Sequence, residues 1–240
     1  MIILHKYKLI FIKTTKTAGT SLEIFLSQFS DENDIVTPES DFGDETPEHT
    51  PKNYRGYFNP LPELFDYKNL KMFYGHTYKD LIKKIKFHGH MPSVSVRNRI
   101  GENVWNNYYK IAVERNPWDK TVSLYHMYKK RNDLCDLSFS DFLSLGRYPK
   151  DDYRYLDKND NLLVDKVIKY ENLNEGLKDA FDKVGIPFEG LTSKAKSNYR
   201  KDKKHYSTYY NENDKEIVKK IFQKEINLFN YKFETKESSQ

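Results

Sequence analysis

KLIFIK followed by TTKTAGTS, Lys8–Ser21, is the stretch whose reading decides the fold. Lys8–Lys13 is a short apolar run between two lysines and reads as a buried β-strand. Beyond the small-residue segment, Leu22, Phe25, Leu26 and Phe29 fall at i, i+3, i+4 and i+7, the spacing of one helix face. Thr20 and Glu23 are spaced as a capping box, and Gly19 is free to adopt unusual dihedrals. A strand, a small-residue loop and a helix in this order aim unpaired backbone N–H groups and the positive helix end at one spot. A phosphate can sit there with Lys16 as a mobile countercharge. The loop is not a Walker A loop, because no Gly-Lys-Ser/Thr ends it. The alternative reading is an ordinary strand-to-helix turn.

A second junction of the same kind spans Lys110–Lys130. Ile111, Ala112 and Val113 form a short apolar run, Asn116 can cap, and Pro117 occupies the favoured first helical position. Trp118, Val122, Tyr125 and Tyr128 make the inward face. Arg115 therefore ends a strand beside a helix N-terminus, and Ser123 lies roughly 10 Å along that helix at about 1.5 Å per residue. Together they can grip a phosphate separate from the one at the first loop. The competing reading pairs Arg115 with a structural carboxylate such as Asp119 and makes Ser123 a small packing residue.

Further along, Leu163–Tyr170 reads as another buried strand and Glu171–Val184 as a helix ended by Gly185 and Pro187. Strands followed by helices predict an α/β fold, a three-layer sandwich with a central, mostly parallel sheet and a ligand site at the strand C-termini. Lys194–His205 carries six Lys or Arg in twelve residues and reads as a basic loop able to close over an anion. Glu212–Ile226 reads as one amphipathic helix. The 240 residues, 38% hydrophobic, suffice for a single domain with one core and exclude a disordered tail.

Charge is unevenly spread. The net charge is +5, but Asp31–Asp66 holds ten carboxylates against Lys52 and Arg55, a net −8 that leaves +13 on the rest. That stretch also holds five of the nine prolines and reads as an irregular acidic insertion on the surface, either a solvated loop or one that covers or selects an acceptor. No apolar run approaches the ~20 residues of a membrane span or forms a secretory leader. Cys135 is the one cysteine, which excludes an intramolecular disulfide and suits a reducing, cytoplasmic setting.

The two junctions together resemble the sulfotransferases that use 3′-phosphoadenosine 5′-phosphosulfate. TTKTAGTS is similar to their 5′-phosphosulfate loop and ERNPWDKTVSLYH to their 3′-phosphate strand and helix, about 100 residues on. KYENL at Lys169–Leu173 and the closing IVKKIFQKEINLFNYKF also resemble family segments. The similar branch is that of carbohydrate sulfotransferases related to heparan sulfate 2-O-sulfotransferases. The resemblance implies a P-loop-like fold and transfer of a sulfuryl group to an acceptor hydroxyl on a saccharide, without a required metal. By position, Lys16 would contact the sulfuryl group and the bridging oxygen, and Thr17, Ala18, Gly19, Thr20 and Ser21 would surround the 5′-phosphate. Arg115 and Ser123 match the 3′-phosphate pair. FHGHMPSVSV at Phe87–Val96 resembles the segment bearing a catalytic histidine, which points to His90, with His76 and His88 as rivals. Ser197, Arg200 and Lys201 match the late cofactor-covering loop. Thr15 and Ala18 stand where many members have Pro and Gly; neither change removes a charge. Two other classes compete. A nucleotide kinase would share the first loop but want Mg²⁺ and carboxylates to hold it. A nucleic-acid-binding module would use the basic body and the 15% aromatic residues, although these fall mostly on inward helix faces.

Overall fold

The apolar runs become a sheet that is covered on both faces. A computed structural model of the chain describes residues 1–38, 49–132, 134, 136–191 and 204–235. Strands β1 (Ile2–Leu4), β2 (Leu9–Ile12), β3 (Ile35–Val36), β4 (Tyr109–Glu114) and β5 (Lys166–Lys169) form one sheet in the order β3-β1-β2-β4-β5. β2 pairs in parallel with β4, and β4 with β5, while β1 runs antiparallel to both β2 and β3. Four of the five strands thus point the same way, as the strand–helix alternation predicts.

Helices follow in chain order as α1 (Gly19–Ser27), α2 (Leu61–Asp66), α3 (Leu70–Phe73), α4 (Lys79–Lys83), α5 (Ser93–Ile100) and α6 (Glu102–Asn107). They continue with α7 (Pro117–Arg131), α8 (Phe139–Ser144), α9 (Asp152–Tyr155), α10 (Leu173–Val184), α11 (Glu212–Ile221) and α12 (Gln223–Phe229). Alternate strand residues point to opposite faces, so Leu9, Phe11, Ile111 and Val113 pack with Leu22 and Leu26 of α1 and Phe181 of α10. Ile10, Ile12 and Ala112 pack on the other side with Val96 of α5 and Trp105 of α6. These are the three layers of the expected sandwich. A third cluster joins α7, α8 and α11 through Trp118, Val122, Phe142 and Val218.

Several expectations are corrected. The acidic stretch Asp31–Asp66 is not uniformly an irregular surface loop: it supplies β3, whose Val36 exchanges backbone bonds with Lys52 at 3.1 and 2.9 Å, and it supplies α2 with fully buried Glu63. The strand expected over Leu163–Tyr170 is confined to Lys166–Lys169, because Asp165 turns its carboxylate onto the Lys110 amide at 2.7 Å. The helix expected over Glu212–Ile226 is divided at Phe222, which leaves helical dihedrals (φ −102°, ψ 21°) while its ring is buried in the third cluster.

Candidate functional site

Both junctions open at the same end of the sheet, beyond the C-termini of the neighbouring parallel strands β2 and β4. The loop after β2 is set by short side-chain bonds. Thr14 Oγ1 donates to the Val113 carbonyl, tying the loop to β4, and lies 2.8 Å from Thr17 Oγ1. Lys16 (φ 61°) and Ala18 (φ 59°) take left-handed backbone conformations, so the unusual dihedrals belong to them and not to Gly19, as the sequence suggested.

Gly19 is needed for a different reason. A Cβ there would meet Lys13 Cγ at 2.7 Å, because the Lys13 stem passes under the first turn of α1 to reach Glu23. Glu23 is fully buried and accepts from both Lys13 Nζ and the Met1 amine. Burial opposes its charge, but those two cations outweigh it and hold the carboxyl below the usual range. The capping box expected between Thr20 and Glu23 is therefore absent: Ala18 is the N-cap and no side chain caps α1. Among the described residues no side chain caps the first amides of α1, which face the side where an acceptor could enter.

The second junction is organised differently. Asn116 Oδ1 accepts from the Trp118 amide at 3.1 Å, and Glu171 Oε1 accepts from the Asn116 amide at 2.7 Å, so the start of α7 is already capped. Arg115 donates to Asp119 Oδ2 from Nε (2.8 Å) and Nη2 (2.6 Å), to the Lys16 carbonyl from Nη1 (3.1 Å), and lies over the Tyr170 ring at 4.3 Å. The pairing with Asp119 that competed with an anion-binding role is present. Among the described residues, three of the five guanidinium N–H groups have an acceptor. Ser123 is half-buried two turns up α7.

Beneath both junctions lies a buried ionic group that sequence reasoning missed. Lys120 Nζ reaches Glu114 Oε1 at 2.6 Å and Asp151 Oδ2 at 2.8 Å. Asp151 also accepts from the Thr15 amide at 2.7 Å and from Arg154 Nε at 2.5 Å, and Tyr155 donates to Glu114 Oε2 at 2.9 Å. Burial opposes the charges of Lys120 and Asp151, but mutual attraction wins: the lysine is raised and the aspartate held well below the ordinary carboxylate range. Burial pushes Glu114 up despite the lysine. Thr15 and Glu114 lie 99 residues apart in sequence, and no local motif joins them.

His90 sits at the end of β2, its Nδ1 3.3 Å from the Lys13 carbonyl oxygen. Burial, aided by the Arg154 and Lys13 cations, pushes it down to about 3, so the imidazole is neutral near pH 7. His76, stacked on Tyr67 at 6.2 Å, is pushed down to about 4 by burial and by His88, whose own Nε2 faces Asp80 at 3.4 Å. Lys16, Arg115 and His90 are thus gathered around the ends of β2 and β4. Ser197, Arg200 and Lys201 lie outside the described residues. Among the described residues no helix is long and apolar enough to cross a membrane.

No family model matches the sequence. Among solved structures, similarity is found to mouse sulfotransferase SULT7A1 complexed with PAP, at a TM-score of 0.46 and 13% identity over 93% of this chain and 86% of that one. A sulfotransferase from Alicyclobacillus acidocaldarius is similar at a TM-score of 0.44 and 16% identity, over 94% of this chain and 96% of that one. Among curated sequences, an uncharacterized protein of Archaeoglobus fulgidus is 36% identical over 122 residues, which are 46% of this chain and 98% of that protein. At that identity and coverage, the chain belongs to the same family as the Archaeoglobus fulgidus protein.

Proposed function

We propose that the chain is a single sulfotransferase domain that moves a sulfuryl group from 3′-phosphoadenosine 5′-phosphosulfate to an acceptor hydroxyl, on a saccharide. The observation that carries this reading is the Arg115–Lys16 contact at 3.1 Å, which puts the uncapped start of α1 beside the arginine that ends β4. A ligand with two separated phosphates fits two adjacent sites better than a single anion does. The motifs TTKTAGTS and ERNPWDKTVSLYH support the same donor.

In this reading the amides of Thr17, Ala18, Gly19, Thr20 and Ser21 receive the 5′-phosphate, and Arg115 and Ser123 the 3′-phosphate. Ser197, Arg200 and Lys201 would cover the donor. The acceptor oxygen attacks sulfur in line, the bond between sulfur and the bridging oxygen breaks, and its electron pair goes to the leaving phosphate, where Lys16 stabilises it. His90 takes the hydroxyl proton. A neutral imidazole is ready to accept it, and the bound donor's negative charge would raise the histidine towards the neutral range that general-base catalysis favours.

Titration calorimetry with 3′-phosphoadenosine 5′-phosphate, set against ATP with Mg²⁺, tests the donor. Binding of the bisphosphate alone supports the reading, and preference for ATP with Mg²⁺ replaces it with a kinase. Incubation with sulfur-labelled donor and a polysaccharide panel, followed by mass spectrometry of the products, tests the acceptor.

A further inference from the structure

The segment from α2 to α4 segregates its charges across its thickness. Every carboxylate between Tyr57 and Lys86 is turned inward or paired. Glu63 accepts from Arg99 Nε at 2.6 Å, Asp80 from Arg99 Nη1 at 2.8 Å, and Asp66 from Arg97 Nη2 at 3.1 Å. Both arginines belong to α5, which packs underneath. The outer side of the segment carries Lys71, Lys79, Lys83 and Lys84, all exposed, and none of the segment's own carboxylates is exposed; the exposed Asp160 beside it is paired with Lys68 at 2.7 Å and Lys224 at 2.6 Å.

Between those lysines runs an apolar stripe. α3, a π-helical turn (Tyr74–Tyr78) and α4 follow without a break. The wider π turn suits a repeat of four residues, which places Leu70, Tyr74, Tyr78 and Ile82 along one side, 59%, 56%, 48% and 64% exposed. The rings of Tyr74 and Tyr78 touch at 5.7 Å. Leu61 and Phe65, on α2 and again four apart, are 62% and 72% exposed. Single exposed apolar side chains are ordinary, but a run of them rimmed by one sign of charge marks an interaction surface.

We propose that this face docks on an anionic lipid surface. Leu61, Phe65 and Ile82 gain by entering the acyl boundary, Tyr74 and Tyr78 place an apolar ring inward and a hydroxyl in the headgroups, and the lysines extend their stems to reach the phosphates. A second copy fits less well, since a two-fold contact between identical faces would oppose lysine to lysine. A soluble polyanion would satisfy the lysines and leave the aliphatic side chains in water.

Vesicle co-sedimentation of the full chain tests the proposal. Vesicles of phosphatidylcholine with phosphatidylserine should bind it strongly and pure phosphatidylcholine weakly. The Lys71→Gln/Lys79→Gln/Lys83→Gln variant should lower partitioning at least about 30-fold, given the contribution of each lysine near an anionic surface. Phe65→Ser/Ile82→Ser should lower it with the lysines intact. All five positions are exposed, and an unchanged melting temperature in each variant confirms the fold. Equal binding to both vesicle types, no binding to either, or binding unaffected by the variants overturns the proposal. So does vesicle-independent self-association in analytical ultracentrifugation that Phe65→Ser/Ile82→Ser abolishes, or capture by dextran sulfate through the same lysines without vesicle binding.

Discussion

Arg115 Nη1 donates to the carbonyl oxygen of Lys16 at 3.1 Å, so the residue that ends β4 holds the backbone of the residue proposed to meet the leaving group. The two half-sites are therefore mechanically one. Arg115→Ala should weaken binding of 3′-phosphoadenosine 5′-phosphate by roughly 1.5–3 kcal/mol, the scale of a hydrogen bond to a charged group. Calorimetry showing equal affinity would remove Arg115 from the donor site.

Lys16→Ala should reduce turnover at least ~10²-fold, as the loss of one preorganised stabilising donor does. The measurement is initial rate at saturating donor and acceptor. Turnover equal to that of the unaltered chain would end the assignment.

Lys120 neutralises two buried carboxylates at once, at 2.6 and 2.8 Å. Lys120→Met leaves Glu114 without a counterion and Asp151 with Arg154 alone, and should cost about 3–5 kcal/mol in chemical denaturation. Because Asp151 also receives the Thr15 amide, the variant should lose bisphosphate affinity as well. A loss below about 1 kcal/mol would show that the group is better hydrated than its burial implies.

Gly19→Ala sets a methyl 2.7 Å from Lys13 Cγ, and Lys13 cannot swing aside without leaving buried Glu23. Destabilisation of about 1–3 kcal/mol is expected, the range for overpacking a closed site. An unshifted melting curve would mean that the lysine stem has room to move.

Two buried histidines make acid destabilising well above the ordinary carboxylate range. Burial takes His90 from 6.5 to about 3 and His76 from 6.5 to about 4, so below pH 6.5 the unfolded chain binds protons that the folded chain refuses. The histidines' contribution to stability therefore falls as pH drops from about 6.5 towards 4, Glu225, pushed up to about 7 by burial, works against it over the same range, and the low-lying Asp151 adds its loss only at more acidic pH. Guanidinium denaturation across that range, compared between the unaltered chain and His90→Gln, isolates the histidine: the variant should lose less stability on acidification. The same pH dependence in both proteins contradicts the assignment.

What could be read from the sequence was local. The apolar run ending at Ile12, the helical spacing of Leu22 to Phe29, and Asn116-Pro117 ahead of α7 depend on neighbours in the chain, and each is found in place. The capping box failed because Glu23 had a stronger claim on it: a buried carboxylate beside Lys13 and the Met1 amine gains more from ion pairing than from one exposed amide. The acidic stretch misled for a related reason. Glu63 counts as solvent-loving until Arg99, 36 residues later, meets it in the interior. Asp151, Lys120 and Glu114 carry no spacing that announces them, since their meeting depends on how three separate elements cross.

One border of the sheet is a two-residue strand closed off, among the described residues, by a bridge from Val36 to Lys52. Were that short seam to peel away, the apolar ribbon Ile2–Leu4 would offer its backbone to any passing chain, and molecules could zip together border to border. Protection of that border thus depends on a very small patch of main chain, supplied by the same acidic stretch whose composition suggested an irregular surface insertion.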